Sequence, residues 1–135
     1  MVIIFTLDDD NGTQLAGKRQ SHDRVVGNKI ITLAGEHLHI LQGSTSFFKN
    51  NDMTDVTCAI CSDMWSIPND AVFFAEEVVP AEIMEAAEKI YVFRWNRRYP
   101  SMVKDRVNLD GYIKTVIDEF PGYSHEKITL EVYKK

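Results

Sequence analysis

The chain has 135 residues, 44% of them hydrophobic and 26% charged, with 20 Asp+Glu against 15 Lys+Arg and a net charge of −5. This length and balance predict one globular domain over 1–135, and the acidic excess argues against a general nucleic-acid binder, which draws affinity from surplus positive charge. No apolar run approaches the roughly 20 residues of a membrane helix, the N-terminus lacks the basic flank of a signal peptide, and two cysteines without an export signal point to a cytoplasmic, reducing setting.

Val2 to Leu7 is a β-branched and aromatic run that stops at Asp8-Asp9-Asp10-Asn11-Gly12, which predicts a strand buried on both faces. Ser21 suits an N-cap, Asp23 a first turn, and Val26, Ile30 and Leu33 recur at helical spacing before Gly35. His37 to Leu41 alternates weakly, Thr45 to Lys49 has the content of one helical turn, and Asp55 to Ile60 is strand-like. Ser62 to Ser66 predicts a short helix before Pro68. Ala71 to Ala75 reads as a second buried strand, ending on Glu76-Glu77. Pro80 suits a first helical position, with Ile83, Met84 and Ala87 as the apolar face. Ile90 to Trp95 gives a third strand and Tyr112 to Phe120 a fourth. At the end of the chain Ile128, Leu130 and Val132 alternate as in a strand, yet Ser124 caps a plausible helix carrying Ile128, Val132 and Tyr133. The helix is the preferred reading.

Alternation of strands and helices predicts an α/β fold: a small, mostly parallel sheet of about four strands with helices on its faces. Ligands of such sheets bind beyond the carboxyl ends of the strands. Those ends are polar here, at Asp8 to Asp10, Glu76-Glu77 and Arg94 to Arg98.

Gly12 to Lys18 matches the first seven positions of a phosphate-binding P-loop. The eighth is Arg19, however, so the hydroxyl that holds Mg²⁺ is missing, and three aspartates crowd the approach. Cys58-Ala59-Ile60-Cys61 has redox or chelate spacing, and His37 with His39 would complete a four-ligand zinc set. Ordinary packing of the two cysteines is the alternative. The basic stretch Lys18 to Arg24 at the predicted helix start offers Arg19 and Arg24 to an anion. Arg94-Trp95-Asn96-Arg97-Arg98-Tyr99-Pro100 mixes guanidinium groups with aromatics, as interface anchors do. Its structural alternative buries Trp95 and pairs the arginines with Asp8 to Asp10 or Glu76. Ser124-His125-Glu126 is no catalytic triad, because neighbours in sequence cannot line up as nucleophile, base and orienter. His125 alone remains a candidate acid or base.

Taken together, Arg19-Gln20-Ser21-x-Asp23-Arg24, Arg94-Trp95-Asn96-Arg97-x-Tyr99-Pro100 and Gly122-x-Ser124-His125-Glu126-Lys127-Ile128-Thr129 resemble a group of small bacterial proteins of the Firmicutes type. Some of that group carry the label ribonuclease Z, but the resemblance implies no activity. True ribonuclease Z has the metallo-β-lactamase fold and a His-x-His-x-Asp-His ligand motif. Here His37-Leu38-His39 runs on into Ile40-Leu41-Gln42, and the chain has 4 histidines in all.

Two functional expectations follow. In the first, a phosphate-bearing, nucleotide-like ligand binds at the strand ends. Arg19, Arg24, Arg94 and Arg97 hold its anion, while Asp8, Asp9 and Glu76 position Mg²⁺ or act as a base. In the second, the protein is a non-catalytic interaction module or homodimer whose anchor is Trp95, Arg98 and Tyr99.

Overall fold

The computed structural model describes all of residues 1–135. Its strands are β1 (Val2–Leu7), β2 (Gln14–Leu15), β3 (Lys18–Arg19), β4 (His37–Leu41), β5 (Thr57–Cys61), β6 (Val72–Ala75), β7 (Lys89–Arg94), β8 (Ile113–Phe120) and β9 (Ile128–Lys134). Helix α1 covers Arg24–Ala34 and helix α2 Ala81–Ala86, with short 3₁₀ helices at Gln42–Phe48, Met64–Ser66 and Val103–Asp105.

Seven strands form one sheet in the order β5-β4-β6-β1-β7-β9-β8. The five from β5 to β7 run parallel, whereas β9 and β8 are added antiparallel at the β7 edge. The sheet is therefore nearly twice as wide as the composition of buried runs predicts. The additional members are β4 and β5, weakly patterned in sequence, and β9, which replaces the expected C-terminal helix. Strand β9 is buried along Ile128–Tyr133, and the alternation of Ile128, Leu130 and Val132, not a Ser124 cap, is what marks the element. Its register with β8 slips between Val116 and Asp118.

Side chains alternate across the sheet. Ile3, Phe5 and Leu7 of β1 join Phe73, Ile90 and Val92 in one apolar cluster; Ile4 joins Leu38, Ile40, Phe74 and Phe93 in the other. α1 adds Val26 and Ile30 to the second cluster and α2 adds Ile83 and Met84 to the first. The helical layers expected from sequence reduce to these two elements.

α1 begins later than Ser21 predicts. Its N-cap is Asp23, whose Oδ1 accepts from Val25 N at 2.9 Å and Val26 N at 3.3 Å, while Gly35 closes the helix at φ 72° as expected. The P-loop-like stretch is instead an antiparallel hairpin, Gln14 opposite Arg19 and Leu15 opposite Lys18. Its two turn residues, Ala16 and Gly17, both have positive φ, 49° and 79°. A tight hairpin of this hand requires that geometry, which accounts for the glycine without any phosphate.

Candidate functional site

β4 and β6 are neighbours, and a polar cleft of about 530 Å³ lies beyond their carboxyl ends. Gly43 and Ser44 follow β4, Glu76 and Glu77 follow β6, and the β2–β3 hairpin brings Gln14 and Arg19 across the opening, with Asp105 at its rim. Arg19 ties these pieces together. Its Nε lies 3.0 Å from Glu76 Oε2, Nη1 donates to Ser46 Oγ at 2.6 Å and approaches His22 Nε2 at 3.3 Å, and Nη2 donates to the Gly43 carbonyl. Four of the five guanidinium N–H groups are thus engaged, leaving one for a ligand.

Glu76 is 9% exposed, and its Oε1 has no hydrogen-bond partner. Burial pushes its carboxyl pKa up, and Ser44 and Arg19 only partly pull it back. His22, 3.8 Å from the same carboxylate, is shifted down by its own burial and by Arg19 and Lys49. A buried acceptor without a donor is costly, and this oxygen is the cleft's buried, unpartnered carboxylate atom.

The other predicted residues are distributed differently from the expectation. Asp8 is fully buried: Oδ1 accepts from Asp10 N at 2.9 Å and Gly12 N at 2.8 Å, and Oδ2 from Tyr99 N at 3.1 Å. Both oxygens are spent on backbone, so Asp8 holds two loops together and offers nothing to Mg²⁺ or a substrate. Asp9 is exposed and only its backbone is bonded, to the Arg97 carbonyl. Arg94 is likewise structural. Its guanidinium pairs with Glu131 at 2.7 Å and donates to Asp8 O, Asn11 Oδ1 and Tyr133 Oη. Burial works against its charge, but Glu131 and Tyr133 prevail and raise its pKa. Arg24 stacks over Tyr123, 4.6 Å from the ring centroid, and Arg97 stands exposed by a separate cavity. The four arginines therefore do not converge.

The interface anchor is corrected in the same way. Trp95 is 1% exposed and packs inside the core, Tyr99 is half-buried against it, and Arg98 pairs with Asp10 at 3.0 Å. The zinc set also fails to assemble, and no three His, Cys, Asp or Glu side chains gather as a metal site. The parallel register opposes Leu38 to Cys58 and Leu41 to Cys61, which sends the two cysteines to opposite faces of the sheet. His37 and His39 share the Cys61 face. Both thiols are free, and burial raises that of Cys58.

His125 lies not at a helix start but in the turn between β8 and β9, with its Nδ1 3.2 Å from Asp23 Oδ2. Sequence reasoning missed this partnership, since Asp23 carried only a helix-start signal. Burial alone would raise the Asp23 carboxyl, but the N–H groups of Tyr123 and Ser124, then His125 and Val26, hold it below its ordinary value.

No family model matches the chain, and no curated protein matches it. Among solved structures, it is similar to a dihydrofolate reductase from Enterococcus faecalis complexed with NADP(H) and RAB-propyl. The TM-score is 0.58 and the identity 9%, covering 99% of this chain and 95% of that one. The fold is dihydrofolate-reductase-like. At that identity the likeness extends to the mixed α/β architecture and its strand arrangement. No helix is long and apolar enough to cross a membrane.

Proposed function

We propose that this dihydrofolate-reductase-like chain binds a nucleotide-like, phosphate-bearing small molecule in the cleft between the ends of β4 and β6. The observation that carries the reading is the buried Glu76 carboxylate, unpartnered at Oε1, in the wall of a polar opening. An ionised carboxylate only accepts hydrogen bonds, so it calls for N–H donors of the kind a base or carboxamide presents. The spare N–H of Arg19 suits a single phosphate oxygen. Glu76, Glu77 and Asp105 outnumber that one cation, so recognition rests mainly on the N–H donors and the phosphate contributes less. The solved neighbour holds NADP(H), which makes a nicotinamide dinucleotide the first probe to try. Mg²⁺ has no part in the proposal.

Thermal shift with NADP(H), NAD(H), ATP and GTP tests this, with inorganic phosphate as control. Saturation at about 100 times Kd adds roughly 2.7 kcal/mol and raises the midpoint by several degrees. One nucleotide is expected to produce that shift where phosphate alone does not. Glu76→Gln is expected to weaken it about tenfold or more, the equivalent of about 1.4 kcal/mol. If no nucleotide at millimolar concentration moves the midpoint, the reading is wrong.

A further inference from the structure

A second, smaller cavity of about 280 Å³ lies past the carboxyl end of β7, lined by Trp95, Asn96, Arg97, His125, Glu126 and Lys127. Its floor is built rather than incidental. The His125 ring stacks on Trp95 with centroids 4.7 Å apart and planes at 28°. Asn96, in a left-handed conformation at φ 59°, donates from Nδ2 to Lys127 O and Thr129 Oγ1, which fixes the two walls relative to each other.

Asp23 decides the state of His125. Its carboxylate is buried, accepts four backbone N–H groups, and is held ionised, so it is an acceptor toward His125 Nδ1. Nδ1 therefore carries the proton, and the lone pair of the neutral ring sits on Nε2. The Ser124 hydroxyl, 3.3 Å from Nδ1, is on the wrong nitrogen to be activated. Nε2 makes no hydrogen bond and is not sealed from solvent.

Two further groups lack partners. Trp95 Nε1–H, which can only donate, is buried without an acceptor and sealed from solvent, so it does not open onto the cavity. Arg97 has no ion pair, although the chain is acidic overall; the Lys127 ammonium is drawn toward Glu119 at 3.7 Å, and Glu126 is the one acid at the cavity. An exposed, unpaired guanidinium at one small cavity complements an oxyanion.

We propose that this cavity is a second site, which takes a small oxyanion and sets it against His125 as an acid–base group. Arg97 holds the anion. His125 Nε2 accepts a proton from a ligand O–H, leaving an imidazolium on Asp23 and the ligand one charge more negative. The site is separate from the β4–β6 cleft and does not depend on its occupant.

NMR of the intact chain tests this. The reporters are the Trp95 indole N–H, distinguished from that of exposed Trp65, and the His125 ring nitrogens. The free protein is expected to show the Nδ1–H tautomer at His125. Titration with inorganic phosphate, methyl phosphate and acetate is expected to shift both reporters together, the two phosphates more than acetate. A response to inorganic phosphate alone identifies the free ion as the ligand, whereas a stronger response to methyl phosphate identifies the phosphate of a larger molecule. Arg97→Ala removes an exposed side chain without bonded partners, so the fold persists, and it is expected to weaken phosphate about tenfold. An Nε2–H tautomer, reporters unmoved by millimolar anion, or equal affinity in Arg97→Ala would each overturn the proposal.

Discussion

β1 and β6 lie side by side, run in the same direction, and each ends in a buried acid. At Asp8 three backbone N–H groups take up both oxygens, and the carboxylate is a structural joint. At Glu76 one oxygen meets Arg19 at 3.0 Å and His22 at 3.8 Å, Ser44 lies close by, and the other oxygen has no hydrogen-bond partner. Burial of a charge does not by itself mark function; what sets Glu76 apart from Asp8 is incomplete satisfaction. Charge runs at strand ends look alike in sequence, but only one of these retains bonding capacity.

The largest expected effect comes from emptying the satisfied joint. Asp8→Ala leaves three backbone donors without an acceptor and is expected to cost about 3 kcal/mol, read from the urea midpoint. Nucleotide affinity of the remaining folded protein should be unchanged, because the acid does not reach the β4–β6 cleft. A subtler pressure on the same joint is Gly12→Ala. The new Cβ meets both Asp8 carboxylate oxygens and Ser101 Oγ at 3.0 Å, tight enough to cost about 1 kcal/mol in the same measurement.

The smallest effect, opposite in sign, belongs to the unsatisfied acid. Burial raises the Glu76 carboxyl above its ordinary 4.5, so the folded chain holds that proton more tightly than the unfolded one. The associated stabilisation is complete below that ordinary value and lost as pH rises through the raised one. Glu76→Gln removes the titration. Thermal melts from acid to neutral pH are therefore expected to show the variant gaining on the parent as pH increases. A constant difference would mean that burial leaves the Glu76 carboxyl at its ordinary value.

How far the sequence anticipates this arrangement follows from what each signal depends on. The cores of β1, β6 and β7 are legible because a short uninterrupted apolar run between polar turns must be covered on both faces, and Gly35 marks a helix end through its backbone alone. Glu76 is legible as the polar end of a buried run. Its pairing with Arg19 is not, since it depends on a hairpin folding back over the sheet. Ala16-Gly17 in that hairpin imitates a phosphate loop because both motifs need the same permissive backbone. Arg94 and its neighbour Trp95 look like surface residues only as long as Glu131 and Tyr133 are placed on a C-terminal helix. With β9 as a strand, the arginine lies inside the sheet edge and its charge is neutralised there.

The tie between Asp23 and the turn before β9 also has a consequence for how the chain reaches this structure. The cap of the first helix bonds to Tyr123 and Ser124, about a hundred residues away, and the first strand made sits in the middle of the sheet, waiting for partners at Val72 and Lys89. Contacts of such wide separation close late and slowly. Val2 to Leu7 has no strand partner before Val72, so this central strand stays unpaired until β6 and β7 are available.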